Sequence, residues 1–259
     1  MAGHNKWSKI KRKKAGNDAK RSKMWARITR DILVAAREGG GSPDMNARLA
    51  LAVDQAKAAN MPKDNIERAI KRGTGEIEGA DYEEGTFEGY APGGIAIFVD
   101  TLTDNNNRTV ADVRSLFSKA GGNLGQDGSV GFLFEQKAVF EVPAGAVEED
   151  DLFLLVADAG AEDLRREAGE PGDDGEPGDV FVIEAPTTSF GAIQAALADA
   201  GLEPSEAGLQ RIPTTTTALP PADAAKVLRL LDALDDHQDI QAVTSTLEVT
   251  DEALAAVQD

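Results

Sequence analysis

The spacing of apolar residues changes once along this chain, and that change limits the fold more than any other feature. From about Asn17 to Arg72 apolar side chains recur every three to four residues. Beyond a Gly- and Glu-rich joint at 73–85 they alternate or run continuously. The first pattern predicts helices with one buried stripe, the second strands interleaved with helices, so the fold class is α+β with the helices first. A length of 259 residues is enough for one large or two to three small domains with real cores.

The first predicted helix spans about Asn17 to Glu38. Trp25, Ile28, Ile32 and Ala35 share one side, while Lys20, Lys23, Arg27, Arg30 and Arg37 gather roughly opposite, so one face packs and the other meets a partner. Gly39, Gly40 and Gly41 end it. A second helix over 46–60 carries Leu49, Val53 and Ala56 inward. A third opens at Pro62, buries Ile66, Ala69 and Ile70, and stops at Gly73.

Farther on, Gly94–Leu102 reads as a strand, 108–120 as a helix and Val130–Phe134 as a strand; Gly208–Ile212, Ala222–Leu234 and Ile240–Val249 repeat strand, helix, strand. Between them 138–142, 149–159, 163–167, 180–185, 190–200 and 202–206 read β-α-β-β-α-β, a complete split β-α-β domain. The organisation expected is a basic flexible tail over 1–16, a helical domain over 17–79, and a discontinuous α/β domain over 80–136 and 207–259. A ferredoxin-like α/β domain over 137–206 is inserted into the latter. The Pro-, Gly- and Asp-rich stretch at 169–179 is expected to be a mobile hairpin loop.

Charge divides the chain at the same place. Residues 1–72 hold 18 Lys+Arg against 7 Asp+Glu, whereas 73–259 hold 9 against 38, although the whole carries a net charge of -18. Such asymmetry suits a basic arm that meets a polyanion, joined to a body that repels it. The acidic body also suits a salt-rich cytosol.

Zero cysteines exclude disulfides, thiolate metal sites and thiol nucleophiles, and His4 and His237 are the only imidazoles. No stretch approaches the ~20 consecutive apolar residues of a membrane span, and a soluble, cytoplasmic protein is expected. Neither G-x-x-x-x-G-K-[ST] nor G-x-G-x-x-G occurs. Carboxylate pairs such as Asp235 and Asp236 read as solvated surface, and His237 as a cation at a helix end. No enzyme, cofactor, metal or small-molecule substrate is expected.

The informative constellation is the tail. In 2–14 cations surround Trp7 and His4: Lys and Arg neutralise phosphates, Trp7 can stack on a splayed base, and Gly3 permits close backbone approach. The candidate nucleic-acid contacts are Gly3, His4, Lys6, Trp7, Lys9, Lys11, Arg12, Lys13, Lys14, Lys20, Lys23, Arg27 and Arg30. Two loops are further candidates: 104–109, with Asn105, Asn107 and Arg108, and 121–130, with Asn123 and Asp127. Capping and turn chemistry explain the first equally well, and turn geometry alone explains the second better than a ligand does.

These segments resemble the YebC family. The likeness rests on Met1-Ala-Gly-His4 with Lys6-Trp7, Ile10-Lys11 and Lys14; on Met61–Ile70 with Gly73-Thr-Gly75; and on Glu88–Gly94, Asp104–Thr109, Phe117–Gly125 and Asp127–Val130. It implies three domains, the third inserted in the second, and a non-enzymatic function. Members are described as DNA-binding transcriptional regulators, and also as ribosome-associated translation factors that relieve stalled peptide-bond formation, for example at proline runs. The partners implied are DNA or ribosomal RNA, and the ribosome, and the contacts implied are Gly3, His4, Lys6, Trp7, Lys11, Lys14, Lys20 and Arg21. Asn5, Arg12 and Thr244–Leu247 depart from the family's usual residues.

Overall fold

In the computed structural model, which describes residues 17–79, 81–171 and 177–258, the helical spacing of the first segment becomes three helices: α1 (Asn17–Gly39), α2 (Ala47–Ala58) and α3 (Lys63–Gly73). They close on one apolar core containing Ile28, Ile32, Leu49, Val53, Ile66 and Ala69. Each Leu or Ile buried there contributes roughly 1.5–3 kcal/mol. Asn46 makes the turn: its side-chain oxygen caps α2 at the Leu49 N–H (3.0 Å), and its amide donates to the carbonyls of Ala35 (2.7 Å) and Gly40 (2.9 Å). Gly73 lets α3 approach α1 backbone to side chain, since a Cβ there would strike the Leu33 carbonyl and the Ala36 methyl.

Four strands form the first sheet, β1 (Glu83–Tyr90), β2 (Ala96–Thr103), β3 (Asn123–Leu124) and β8 (Ile240–Ser245), in the order β3-β1-β2-β8. The pairs β1–β2, β1–β3 and β2–β8 are all antiparallel. Three helices cover one face: α4 (Asn106–Lys119), α7 (Pro221–Asp235) and α8 (Asp251–Gln258). Their Val113, Phe117, Leu228, Leu231 and Leu254 pack on Ile97, Val99, Ile240 and Val243. On the other face Phe98 meets Phe134 edge-on, with ring centroids 5.9 Å apart.

The second sheet takes β4 (Phe134–Pro143), β5 (Asp163–Pro171), β6 (Pro177–Pro186) and β7 (Glu206–Pro213) in the order β5-β6-β4-β7. With α5 (Glu149–Asp158) and α6 (Phe190–Asp199) the chain order is β-α-β-β-α-β, the split β-α-β arrangement. Its core holds Phe140, Leu152, Val156, Ile183, Ile193 and Leu197. The chain divides into two compact units. One is the chain up to Phe134 together with everything from Pro213 onward; the other is Glu135–Ile212. No helix among the described residues is long and apolar enough to cross a membrane.

Several elements differ from the reading of the sequence. Strand β1 occupies a stretch assigned in part to a joint. Val130–Phe134 is not a strand: Gly131–Leu133 is a 3-10 turn, and the strand starts at Phe134 because the Val130 and Gly131 N–H groups are taken by the Glu88 carboxylate. Of the strand predicted at 202–206, residues 202–205 are a connection and Glu206 opens β7, and the strand predicted at 208–212 belongs to the second sheet rather than the first. The predicted strand at 240–249 ends at Ser245, and α8 follows it. The expected loop at 169–179 is partly strand, through Pro171 and from Pro177; the residues between lie outside those described.

Candidate nucleic-acid interface

Lys23, Arg27 and Arg30 recur along one stripe of α1, the face that the sequence assigns to a partner. In the folded chain that partner is the carboxyl end of α7. Lys23 Nζ lies 3.4 Å from Asp235 and 3.0 Å from Asp236. The Arg27 guanidinium donates to Asp235 Oδ1 (2.9 Å) and to its main-chain carbonyl (2.5 Å), and Arg30 donates to the Gln238 carbonyl. Two carboxylates and the negative end of a helix dipole together hold the three cations. Asp235 and Asp236, read from sequence as solvated surface, thus serve as the anchor of α1.

This junction is polar and incompletely satisfied. Gln241 Nε2 donates to Asp31 Oδ1 at 3.2 Å, while Arg27 Nε, Arg30 Nε and Gln241 Oε1 are buried without hydrogen bonds. Burial pushes the Asp31 carboxyl up to about 6 against the pull of Arg48 and Arg30. Burial likewise lowers the Arg30 guanidinium from its ordinary value.

Gly3, His4, Lys6, Trp7, Lys9, Lys11, Arg12, Lys13 and Lys14 lie outside the described residues, as does the side chain of Lys20; Arg21 is exposed. Most other cations of the helices are paired. Arg48 meets Glu38 and Glu84, Lys57 meets Asp54 at 2.9 Å, Lys63 meets Glu67 at 3.6 Å, and Arg37 donates to the Tyr82 carbonyl at 2.6 Å. Arg68, Lys71 and Arg72 are exposed, and none forms an ion pair with a described residue. Asn65, Arg68 and Arg72, spaced i, i+3, i+7 on α3, line a cleft whose other wall is Trp25 and Thr29 of α1, with Met61 and Ala69 at its base. The Trp25 indole N–H donates to the Ala59 carbonyl (2.9 Å), and the Thr29 hydroxyl to the Trp25 carbonyl (2.6 Å), which holds that wall in place. Sequence reasoning passed over Arg68 and Arg72, whose signal was their one-turn spacing beside Asn65.

The two candidate loops are anchored by carboxylates. Asn105 caps α4, accepting from the Arg108 N–H at 3.1 Å, and Arg108 reaches Asp104 (2.9 Å) and Asp239 (2.7 Å). The same Asp239 oxygen accepts from Thr109 (2.8 Å) and Thr103 (3.2 Å). Burial raises this carboxyl, but the bonds from Arg108 and Thr109 outweigh it and hold Asp239 below its ordinary value. His237 does not pair with the neighbouring Asp235 and Asp236. Its Nδ1 accepts from the Asp239 N–H (3.2 Å), and its Nε2 lies 3.2 Å from Asp112 Oδ2.

The glycine-rich loop over 121–131 closes on Glu88, whose buried carboxylate accepts from the N–H groups of Gly128 (2.8 Å), Val130 (2.6 Å) and Gly131 (2.7 Å). Tyr90 adds a bond from its hydroxyl to the Ser129 carbonyl at 2.9 Å. Glu88 thus fills the anion-binding concavity of the loop from within. Asn107, Asn123 and Asp127 are exposed.

With this geometry in view, comparisons with known proteins are unambiguous at the family level. Residues 5–76 match a family model described as the TACO1/YebC protein N-terminal domain, and residues 82–247 one described as the TACO1/YebC second and third domain. A probable transcriptional regulatory protein of Brachyspira hyodysenteriae is 46% identical over 252 residues, covering 97% of this chain and 98% of that protein. Another, from Rubrobacter xylanophilus, is 48% identical over 258 residues, 99% of each. The crystal structure of a conserved hypothetical protein from Aquifex aeolicus superposes with a TM-score of 0.80 at 42% identity, covering 92% of this chain and 94% of that one.

Proposed function

The chain belongs to the TACO1/YebC family, and on that footing we propose that it is a nucleic-acid-binding regulator of gene expression that acts without catalysis. The observation that carries the reading is the segregation of charge: 18 of 27 Lys+Arg lie in the first 72 residues of an otherwise acidic chain. Coulombic attraction to phosphates is strong, independent of sequence and local to such a segment, and the acidic remainder prevents the body from being drawn onto the same polyanion. The regulatory part of the reading draws on the names of the relatives, each a probable transcriptional regulatory protein.

In this reading the tail makes the first contacts. Lys6, Lys9, Lys11, Arg12, Lys13 and Lys14 take phosphates, Trp7 stacks on a base, and Gly3 and His4 approach the strand closely, with Lys20 and Arg21 continuing the track. Lys23, Arg27 and Arg30 join only when α7 releases them. The target is DNA in the first instance.

A second reading, a ribosome-associated factor on ribosomal RNA, is favoured by one specific observation. The basic face of α1, the longest helix among those described, is turned onto Asp235 and Asp236 rather than offered to a major groove. Ultraviolet crosslinking of the tagged chain in living cells, with sequencing of the attached nucleic acid, decides between them. Promoter DNA supports the first reading and a single ribosomal RNA locus the second. Recovery of neither, or normal binding by a chain with Lys9, Lys11, Arg12, Lys13 and Lys14 replaced by Ala, overturns the assignment of the tail.

A further inference from the structure

We infer that the cleft between α1 and α3, walled by Trp25 and Thr29 on one side and by Asn65, Arg68 and Arg72 on the other, binds an unpaired nucleic-acid strand. Arg68 and Arg72 take its phosphates, and a base lies toward Trp25. The inference rests on the nucleic-acid reading above and locates a second contact on the body of the protein, apart from the tail.

Three observations carry it. The first is the distribution of unused charge. On the helical segment many of the described cations are already bound: Lys23 and Arg27 by Asp235, Arg48 by Glu38 and Glu84, Lys57 by Asp54, Lys63 by Glu67. Arg68 and Arg72 have no counter-ion among the described residues, and the nearby Glu76 carboxylate is held by the Thr74 hydroxyl at 3.1 Å. Two like charges one turn apart weaken a helix unless an anion lies across them. The dipole at the end of α3 favours Lys71 and Arg72 in the last turn but gives nothing to Arg68, a full turn earlier.

The second observation is the shape and chemistry of the site. Guanidinium forks, a side-chain amide, a hydroxyl and an indole converge on one open cleft, a set able to meet phosphate oxygens, base edges and a base plane together. Open α-helical surface carrying arginine alone would bind any polyanion. A cleft with an aromatic wall selects a strand whose bases are not engaged in pairing.

The third is rigidity. The Trp25 wall is tied to Ala59, and α3 is seated on α1 through Gly73, so the backbone walls of the cleft are set before a ligand arrives.

The chain has two tryptophans, Trp7 and Trp25, so Trp7→Phe leaves Trp25 as the sole indole reporter. The full-length Trp7→Phe protein, alone and with Arg68→Gln and Arg72→Gln, is titrated with a short labelled single-stranded RNA, the same sequence as single-stranded DNA, and the DNA duplex. Anisotropy gives affinity across a range of salt concentrations, and Trp25 emission reports the cleft. Both substituted side chains are exposed, and circular dichroism checks the fold. The expected result is a change in Trp25 emission with either single strand and preference over the duplex. The double variant should bind about tenfold more weakly, with a log–log salt slope reduced by about 1.4, since each phosphate contact on a single strand contributes about 0.7. The ratio of RNA to DNA affinity identifies the source of the strand. Wild-type affinity and slope in the double variant, an unmoved Trp25 signal, or duplex preference overturns the inference. If a tail variant loses binding while the double variant keeps it, the nucleic-acid reading stands without the cleft, whereas no binding of any oligonucleotide by the unsubstituted protein, titrated in parallel, removes both.

Discussion

Arg27 holds Asp235 twice, through the carboxylate Oδ1 at 2.9 Å and through the main-chain carbonyl at 2.5 Å, so the basic face of the first helix is clasped by the end of another helix 208 residues away. Lys23 shares the same carboxylate and reaches Asp236, which is 63% exposed. The Lys23–Asp236 pair, this exposed, contributes about 0–1 kcal/mol, and the half-buried pairs to Asp235 contribute more. Replacing Asp235 and Asp236 with Ala should therefore lower stability by on the order of 2 kcal/mol while releasing Lys23 and Arg27. Affinity for nucleic acid should rise several-fold at low salt, and the log–log salt slope should steepen, by about 0.7 per released cation on a single strand. Titration at several salt concentrations checks this; an unchanged slope would mean that the released cations touch no phosphate.

Glu88 organises the glycine-rich loop from inside. Removing the carboxylate leaves three N–H groups without their acceptor, so Glu88→Ala should cost roughly 3 kcal/mol in chemical denaturation, with Glu88→Gln less severe because one acceptor oxygen survives. New proteolytic cleavage within 125–131 should accompany the loss.

Asp31 gives a pH dependence of known sign. Its folded-state pKa is raised by burial from an ordinary 3.8 to about 6, so its ionisation opposes folding, and stability falls as pH rises between those values. Asp31→Asn should flatten that interval and stabilise the protein near pH 7 by on the order of 2 kcal/mol. The new amide can also donate to the orphaned Gln241 Oε1. Thermal melts of both proteins from pH 4 to pH 8 decide the matter.

Asp239 works in the opposite sense. Held below its ordinary value, it contributes stability that is present above the unfolded carboxylate pKa and lost as pH falls through the folded one. Asp239→Asn should cost about 3 kcal/mol at neutral pH. Thr109→Val, which removes a hydroxyl bonded to both Asp239 and Thr103, should cost about 1–2 kcal/mol. Both are read from urea denaturation, and the acid limb of the stability curve should be shallower for Asp239→Asn.

Local periodicity made α1 legible through Trp25, Ile28, Ile32 and Ala35, and made β2 legible through its apolar run. Strand β1 escaped notice because Glu83-Glu-Gly-Thr-Phe-Glu-Gly-Tyr90 is acidic and holds two glycines. It is a strand because β2 supplies its ladder, and Gly89 is small because a Cβ there would strike the Phe117 ring. The strand at 206–213 was recognisable as a strand, but its sheet was not, since pairing with β4 is a relation between distant segments. The candidate interface divides in the same way. The excess of positive charge is a local property and could be counted, whereas the capture of Lys23 by Asp235, 212 residues on, exists only after folding. Arg68 and Arg72 became prominent by elimination, once the partners of the other cations were known.

Gly73 has a bearing on selectivity. Because no side chain stands between α3 and the Leu33 carbonyl, the two helices meet closely beside Arg72, which lines the cleft together with Trp25. If that cleft takes an unpaired strand as inferred, a chain entering it must shed its own stacked or paired order beforehand. The helical domain would then discriminate by how readily a nucleic acid comes apart, an attribute of thermodynamics rather than of spelling.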